Sequence, residues 1–542
     1  MNLLGASRPH SPRLPVAIAA LCAAFLLFGA AGASAAIRYA APGGTEPASS
    51  PCEQAHPCSL FNAADRFVPN THLQEGDEVV IEPGTYSGVA GDLGPEGAII
   101  LPSNTSIHGV AGQPRPIIKV DIGNAGIEAF LMNEPGDVLS RVETVSTGQR
   151  RGFALDSSGV VDGVVARTSG NIAPCSARDG VIRNSACLST GDFGSAVSID
   201  SSTAKLRNVT AIATGIGSHG LKVTAAVGEL NVEAIGLLAR GAAGDVMARA
   251  FSLPPSNPNT GAKVTINLDH SDFADIETEN DAGGGAATIT APGFGSNITA
   301  EPLLAADGYH ELLGSPTIGH GATDAFSGTT DIDGEQRVLG LADIGADELQ
   351  IATTTFLSCS PGNLVAAAGP TTCTATVTTA TGTPEGTVKL ASDGPGAFAA
   401  AGSCSLIATA NGQASCHLAY TPSAAGSGTH KLNASYQGDA VHSASEGSST
   451  VRVAAAPVKA PNTTLKRKPA RKTAARQATF IFGSDQAGSR FECKLDKRAF
   501  KPCRSPFKAK RLKSGRHSFQ VRAVNGAGVP DPTPVRFRWK VS

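Results

Sequence analysis

Between residues 37 and 350 the apolar residues come in short alternations broken every few positions by Gly, Asn, Asp or Ser. No segment there holds a 3.6-residue period for the length of a helix. Setting VVARTS (164–169), VIRNSA (181–186), KLRNVTAIAT (205–214) and ELNVEAIG (229–236) one above another brings Val165, Ile182, Leu206 and Leu230 into register, at spacings of 17, 24 and 24 residues. Units near 20 residues are too small to bury an inner face alone, so they imply a coil of short strands whose rungs stack. Aromatics at 5% and 62 glycines suit many short strands and tight turns, and 542 residues require several cores.

The N-terminus reads as an export signal over residues 1–35. Arg8 and Arg13 precede the apolar run LPVAIAALCAAFLLFGA, and Ala33-Ser34-Ala35 forms an A-x-A cleavage site. Leu21 stands where a lipobox before Cys22 requires a small residue, and no second apolar run of spanning length follows. The ten remaining cysteines fall in close pairs: Cys52 with Cys58, Cys175 with Cys187, Cys359 with Cys373, Cys404 with Cys416, and Cys493 with Cys503. In an exported chain such pairs are expected to be disulfides, and no CxxC or HxxxH spacing accompanies them to imply zinc. The two pairs between 359 and 416 are too close in sequence for a bridge of the antibody type and are expected as local hairpin staples.

Charge is distributed unevenly. From Lys459 onward, 22 of the chain's 44 Lys and Arg face 4 of its 46 Asp and Glu, a balance of +18; the preceding residues carry 22 and 42, a balance of −20. Opposite signs on one chain imply different partners for the two regions.

Several motifs carry family resemblances. CSLFNAADRF (58–67) followed by EGDEVVIEPGTYSG (75–88) resembles the opening of right-handed parallel β-helices of the pectate-lyase-like fold: a short capping helix, then a strand and turn. That resemblance places Val79 and Ile81 inward and makes SIHGVAGQPRPIIKV (106–120) the next rung. The stretch 309–348 resembles the closing segment of bacterial β-helix proteins of the choice-of-anchor Q type. It matches Ser315-Pro316, Asp331, Asp333, Gly334, Arg337, Asp343, Ile344, Gly345, Ala346 and Glu348, with Gly319 where the pattern has Asp. It implies a cap that covers the last exposed rung by pairing charges across Asp/Gly turns. Residues 351–454, with GTPEGTVKL and a strand-turn at Tyr436, Gly438 and Asp439, resemble the bacterial Ig-like repeat. The C-terminal segment resembles a small Ig/fibronectin-like module of exported actinobacterial proteins through Phe491, Cys493, Leu495, Asp496, Cys503, Ser505, Pro506, Gly515, His517, Phe519, Val521, Arg522 and Ala523.

The expected organisation is therefore all-β: signal peptide 1–35, right-handed parallel β-helix with caps over 36–350, Ig-like β-sandwich over 351–454, Ala/Pro/Lys-rich linker over 455–477, and a basic Ig/fibronectin-like module over 478–542. The sequence supplies no P-loop, G-x-S-x-G or H-E-x-x-H and calls for no cofactor and no metal. If the β-helix were catalytic, the candidate acids are Asp269, Asp272, Asp275 and Glu277; GIGSHG offers only a lone His219. The sequence favours a non-enzymatic envelope or extracellular protein, structural, adhesive or carbohydrate-binding. The alternative is a polysaccharide lyase or glycoside hydrolase.

The expected partner is an anionic cell-wall polymer or polysaccharide rather than nucleic acid, met by a monomer. The binding residues expected are Lys466, Arg467, Lys468, Arg471 and Lys472 in the linker, with Lys508, Lys510, Arg511, Lys513 and Arg516 around a later hairpin.

Overall fold

The computed structural model describes residues 35–542 apart from 72, 89–91, 94–97, 121–127, 201–202, 252–260, 281–285 and 291–295. The expected export signal, with Cys22, falls outside the described residues. The chain forms two compact units, one from residues up to Ala300 with Thr323–Gly334, the other from Glu301–Ala322 and Glu335–Ser542.

The first unit is a parallel coil whose strands form a 14-stranded and an 8-stranded sheet, the larger one covering two sides of the coil. Each rung contributes in turn a strand to each side, as with Val138–Ser140, Glu143–Ser146 and Arg151–Leu155, which lie beside Val160–Asp162, Val165–Thr168 and Cys175–Ala177 of the next rung. One inward column runs Val79, Ile107, Leu139, Val161, Ile182, Leu206, Ala234 and Leu268, and every member is buried. Each large side chain in it contributes roughly 1.5–3 kcal/mol of transfer free energy.

The expected register of Val165, Ile182, Leu206 and Leu230 is corrected at two positions. Ile182 and Leu206 do stack, but Val161 and Ala234 complete their column. Val165 instead stacks on Ala186, and Leu230 on Val264. The cause is the corner at Arg141, Gly163, Asn184, Asn208, Gly236 and His270, all with positive φ. It divides two apolar strand halves of similar pattern, so either half of VVDGVVART matches the next rung by eye. The corner is tied by side chains: Asn208 Nδ2 donates to Asn184 Oδ1 at 3.2 Å and Asn184 Nδ2 to Asp162 Oδ1 at 2.9 Å. A Cβ at Gly236 would fall 2.5 Å from Asn208 Oδ1, which explains a glycine there. A second corner stacks Gly148, Gly170, Gly191 and Gly215, where a Cβ on Gly170 would lie 1.5 Å from the carbonyl oxygen below.

The coil opens as the sequence implies. Helix Leu60–Ala64 starts at Ser59, whose side chain accepts from Asn62 N, and Arg38 occupies the inward position beneath Val79. Arg38 donates to the carbonyls of Ala63 (3.0 Å) and Asn62 (3.2 Å), satisfying groups a short helix leaves free. The closing stretch departs from expectation. Residues 323–334 do not roof the last rung; they run back along the Asn corner. Arg207 Nε donates to Asp324 at 2.9 Å, Asn184 to Ser327 O at 2.9 Å, and Arg115 to Ile332 O and Asp333. Among the described residues, Ile276–Asn280 and Ala286–Thr290 remain the last strands of their sheets, and the first is exposed throughout. The physical reason is charge: the basic corner residues Arg115, Arg183 and Arg207 draw the Asp-rich segment sideways.

The rest of the closing stretch folds within the second unit around Arg337. That fully buried guanidinium donates to the carbonyls of Asp343, Gly345, Ala346 and Asp347, while Glu348 accepts from Leu339 N and Asp343 N. Gly319, standing where the pattern has Asp, instead donates its N–H to Asp343 at 2.7 Å.

Residues 353–454 form a sandwich of two five-stranded sheets around Val388, Leu390, Tyr420, Leu432, Tyr436 and Val451. Tyr436 donates to Asp439 at 2.9 Å, fixing the expected strand-turn. A further sandwich of three and five strands closes over Phe480, Phe519, Phe537 and Trp539, with Phe480 and Phe519 stacked at 4.0 Å.

All five disulfides form as paired. Cys359–Cys373 joins directly opposed neighbouring strands, as a staple should. Cys404–Cys416 does not: Ser403–Ser405 and Gln413–Pro422 belong to different sheets, so this bridge spans the sandwich despite a separation of only 12 residues. The chain crosses between sheets immediately after Cys404.

The expected linker is also corrected. Thr463–Arg467 pairs with Gln477–Ser484, and Lys472–Thr473 lies parallel to Val535–Val541. Thr463 is anchored by Asp531, which accepts its N–H at 2.8 Å, and its hydroxyl accepts from Ala523 N. The run KRKPARK carries too little alternation to announce these strands.

Candidate functional site: a basic groove on the C-terminal sandwich

Alternation on Val535–Val541 turns Phe537, Trp539 and Val541 into the core and leaves Arg536, Arg538 and Lys540 outward. On the neighbouring strand Gly515–Val524, Arg516 stands opposite Lys540, Ser518 opposite Arg538 and Gln520 opposite Arg536. The short strand at the edge sets Lys472 opposite Lys540, with Arg471 beside it through the Lys540 N–H to Arg471 O bond of 2.9 Å. With Lys497, all of these side chains except Gln520 line an open groove of about 760 Å³.

One carboxylate enters the groove, and it is occupied. Asp496 accepts from Ser518 N and pairs with His517 Nδ1, each at 2.8 Å. Burial works against charge on His517, but the Lys513 carbonyl and Asp496 prevail and raise its pKa. Among the described residues none of the seven Lys and Arg lining the groove is in an ion pair. Like charges directly opposite on paired strands destabilise a sheet, so this arrangement carries a cost that an external anion removes. Trp539 and Phe537 are 3% and 6% exposed, so the groove offers almost no ring face for stacking.

The ten residues expected to bind a polyanion regroup accordingly. Arg471, Lys472 and Arg516 line the groove. Lys466 and Arg467 on one strand, with Lys508 and Lys510 on another, belong to the opposite three-stranded sheet. Lys468 lies over the Phe537 ring at 5.3 Å, and Arg511 and Lys513 are exposed in the turn before Gly515. Sequence reasoning missed Arg536, Arg538, Lys540 and Lys497; the alternating VRFRWKV was the signal available for the first three.

The four candidate acids of the coil occupy three sides of one rung and engage different partners. Asp269, stacked on Ile235, pairs with His270 at 2.9 Å. Asp272, bridged to Leu238, is fully buried and pairs with Arg240 at 2.8 Å. Asp275 is exposed, its N–H donated to Asp245. Glu277, stacked on Met247, lies 3.2 Å from His219 Nε2. That last pair was not foreseen, because stacking joins residues 58 apart; Gly244, packed near both, leaves the room.

Residues 357–454 match the family profile of the bacterial Ig-like domain (group 3). No curated protein matches the chain. Among solved structures, the fibronectin(III)-like modules of Clostridium thermocellum CbhA share 16% identity over 34% of this chain and 94% of that one, with a TM-score of 0.15. Murine CEACAM1b shares 11% identity over 35% of this chain and 98% of that one, with a TM-score of 0.14. The bacterial Ig-like domain fits a surface or structural role, and five disulfides fit an extracellular protein. No helix among the described residues is long and apolar enough to cross a membrane.

Proposed function

We propose that this is an exported, non-enzymatic protein of the cell surface, in which the C-terminal groove holds an anionic polymer of the envelope and the parallel coil serves as a structural or adhesive surface. The observation that supports this reading is the set of seven cations gathered in one groove with no ion pair among them. Side chains so placed repel one another and are stabilised by a polyanion that approaches within the screening length of about 8 Å at physiological salt. The sandwich over 357–454 acts as a spacer between the two. The test is retention of the mature chain on purified cell walls across a salt series: retention at low salt with release as salt rises is expected, and passage unretained at low salt overturns the proposal.

A further inference from the structure

Resting on that reading, we infer that the groove takes an unbranched phosphodiester polymer of the polyol-phosphate kind, with successive phosphates lying along the strand Val535–Val541. Arg536, Arg538 and Lys540 alternate on its outward face and so stand about 7 Å apart. A three-carbon polyol phosphate has about six single bonds per repeat and in extended form advances by about the same 7 Å. Each phosphodiester presents two charged oxygens. The register gives a second donor beside each cation, with Gln520 opposite Arg536, Ser518 opposite Arg538 and Arg516 opposite Lys540. Guanidinium forks bind such oxygens in pairs.

The row follows a single strand along an open groove, which suits a chain without branches. Its lack of an exposed ring removes the stacking that holds nucleobases. A uronan brings one charge on each bulky ring and has no surface here to receive the ring. Nucleic acid shares the phosphodiester link but adds bases that the groove leaves unsupported.

The experiment measures binding of the mature full chain to poly(glycerol phosphate), polygalacturonate and oligothymidylate of matched charge over a salt series. Poly(glycerol phosphate) is expected to bind at least about tenfold more tightly than either of the others. In Arg536→Ser/Arg538→Ser the slope of log K against log salt should shrink by about 1.4, the loss of two contacts on a flexible chain. Arg536→Lys/Arg538→Lys should keep that slope, and Lys508→Ser/Lys510→Ser on the opposite sheet should leave binding unchanged. An unaltered melting transition establishes that each variant is folded. Polygalacturonate or oligothymidylate binding as tightly as the polyol phosphate overturns this inference and leaves the polyanion reading standing; binding to none of the three overturns both.

Discussion

The coil and the C-terminal sandwich carry many charges and arrange them in opposite ways. Parallel stacking sets residue over residue, and four stacked pairs in the coil join opposite signs: Glu128 with Arg151, Lys205 with Glu233, Glu229 with Lys263, Arg249 with Glu279; where Arg183 stacks on Arg207, each is paired with an acid of its own, Asp162 and Asp324. Exposed pairs of this kind contribute little each, about 0–1 kcal/mol, so their main effect is to avoid columns of like charge. In the sandwich the register does the reverse, with Arg516 and Lys472 both opposite Lys540. Charge in the coil is spent within the fold, whereas charge in the groove is left for something outside it.

The largest expected effect comes from removing a coil cation. Arg207 is 2% exposed and is held by the carbonyls of Leu206 and Glu233 and by Asp324. Arg207→Ala strands the two carbonyls and releases the partly exposed Asp324, and should lower the coil's stability by about 1–3 kcal/mol in urea unfolding; a loss under about 0.5 kcal/mol would break the comparison.

Next is a group treated in a third way, kept neutral. Burial, then the nearby Asp343 and Asp347, push the Glu311 carboxyl up to about 9 from 4.5. The folded chain therefore holds a proton that the unfolded chain releases above pH 4.5, and stability should fall as pH rises from about 4.5 to about 9, by at most about 1.4 kcal/mol per unit. Glu311→Gln should flatten that slope and melt higher than the parent at pH 8; an unchanged slope would show that Glu311 is ionised in the fold.

Smaller still is the relief of crowding. Lys540→Glu, facing Arg516 and Lys472, should raise stability by about 0.2–1 kcal/mol while weakening wall retention. A loss of stability would mean the groove's charges support the fold. The smallest effect concerns His517. With its pKa raised by Lys513 O and Asp496, its pairing should stabilise fully below pH 6.5 and fade as pH rises through the folded value. His517→Gln should remove that dependence from the melting profile, and a parent profile already flat there would refute the pairing.

How much of this was legible in the sequence depended on periodicity. The opening cap, the turns and the cysteine pairs announced themselves because Gly, Pro, Asn and Cys act locally. Ile182 over Leu206 was readable, whereas Val161 and Ala234 were hidden because the rungs lengthen from 21 to 24 to 28 residues, so no single period aligns them. The side strap 323–334 was read as an end cap, since a linear pattern names its acidic residues but not the Arg corner they meet. In the C-terminal region the charge total was plain, but grouping cations by sequence proximity set Lys508 with Arg516, which the fold places on opposite sheets. Strand alternation separates them, and pairing register decides which cations meet.

The most direct test compares Arg207→Ala with Arg536→Ser/Arg538→Ser in the full mature chain, each measured for unfolding free energy in urea and for retention on purified walls. The first should lose about 1 kcal/mol or more and stay on the wall to the same salt concentration as the parent. The second should keep its stability within about 0.5 kcal/mol and elute at lower salt. A groove variant that unfolds as readily as Arg207→Ala while its wall retention is unchanged would contradict the division of charge between fold and partner.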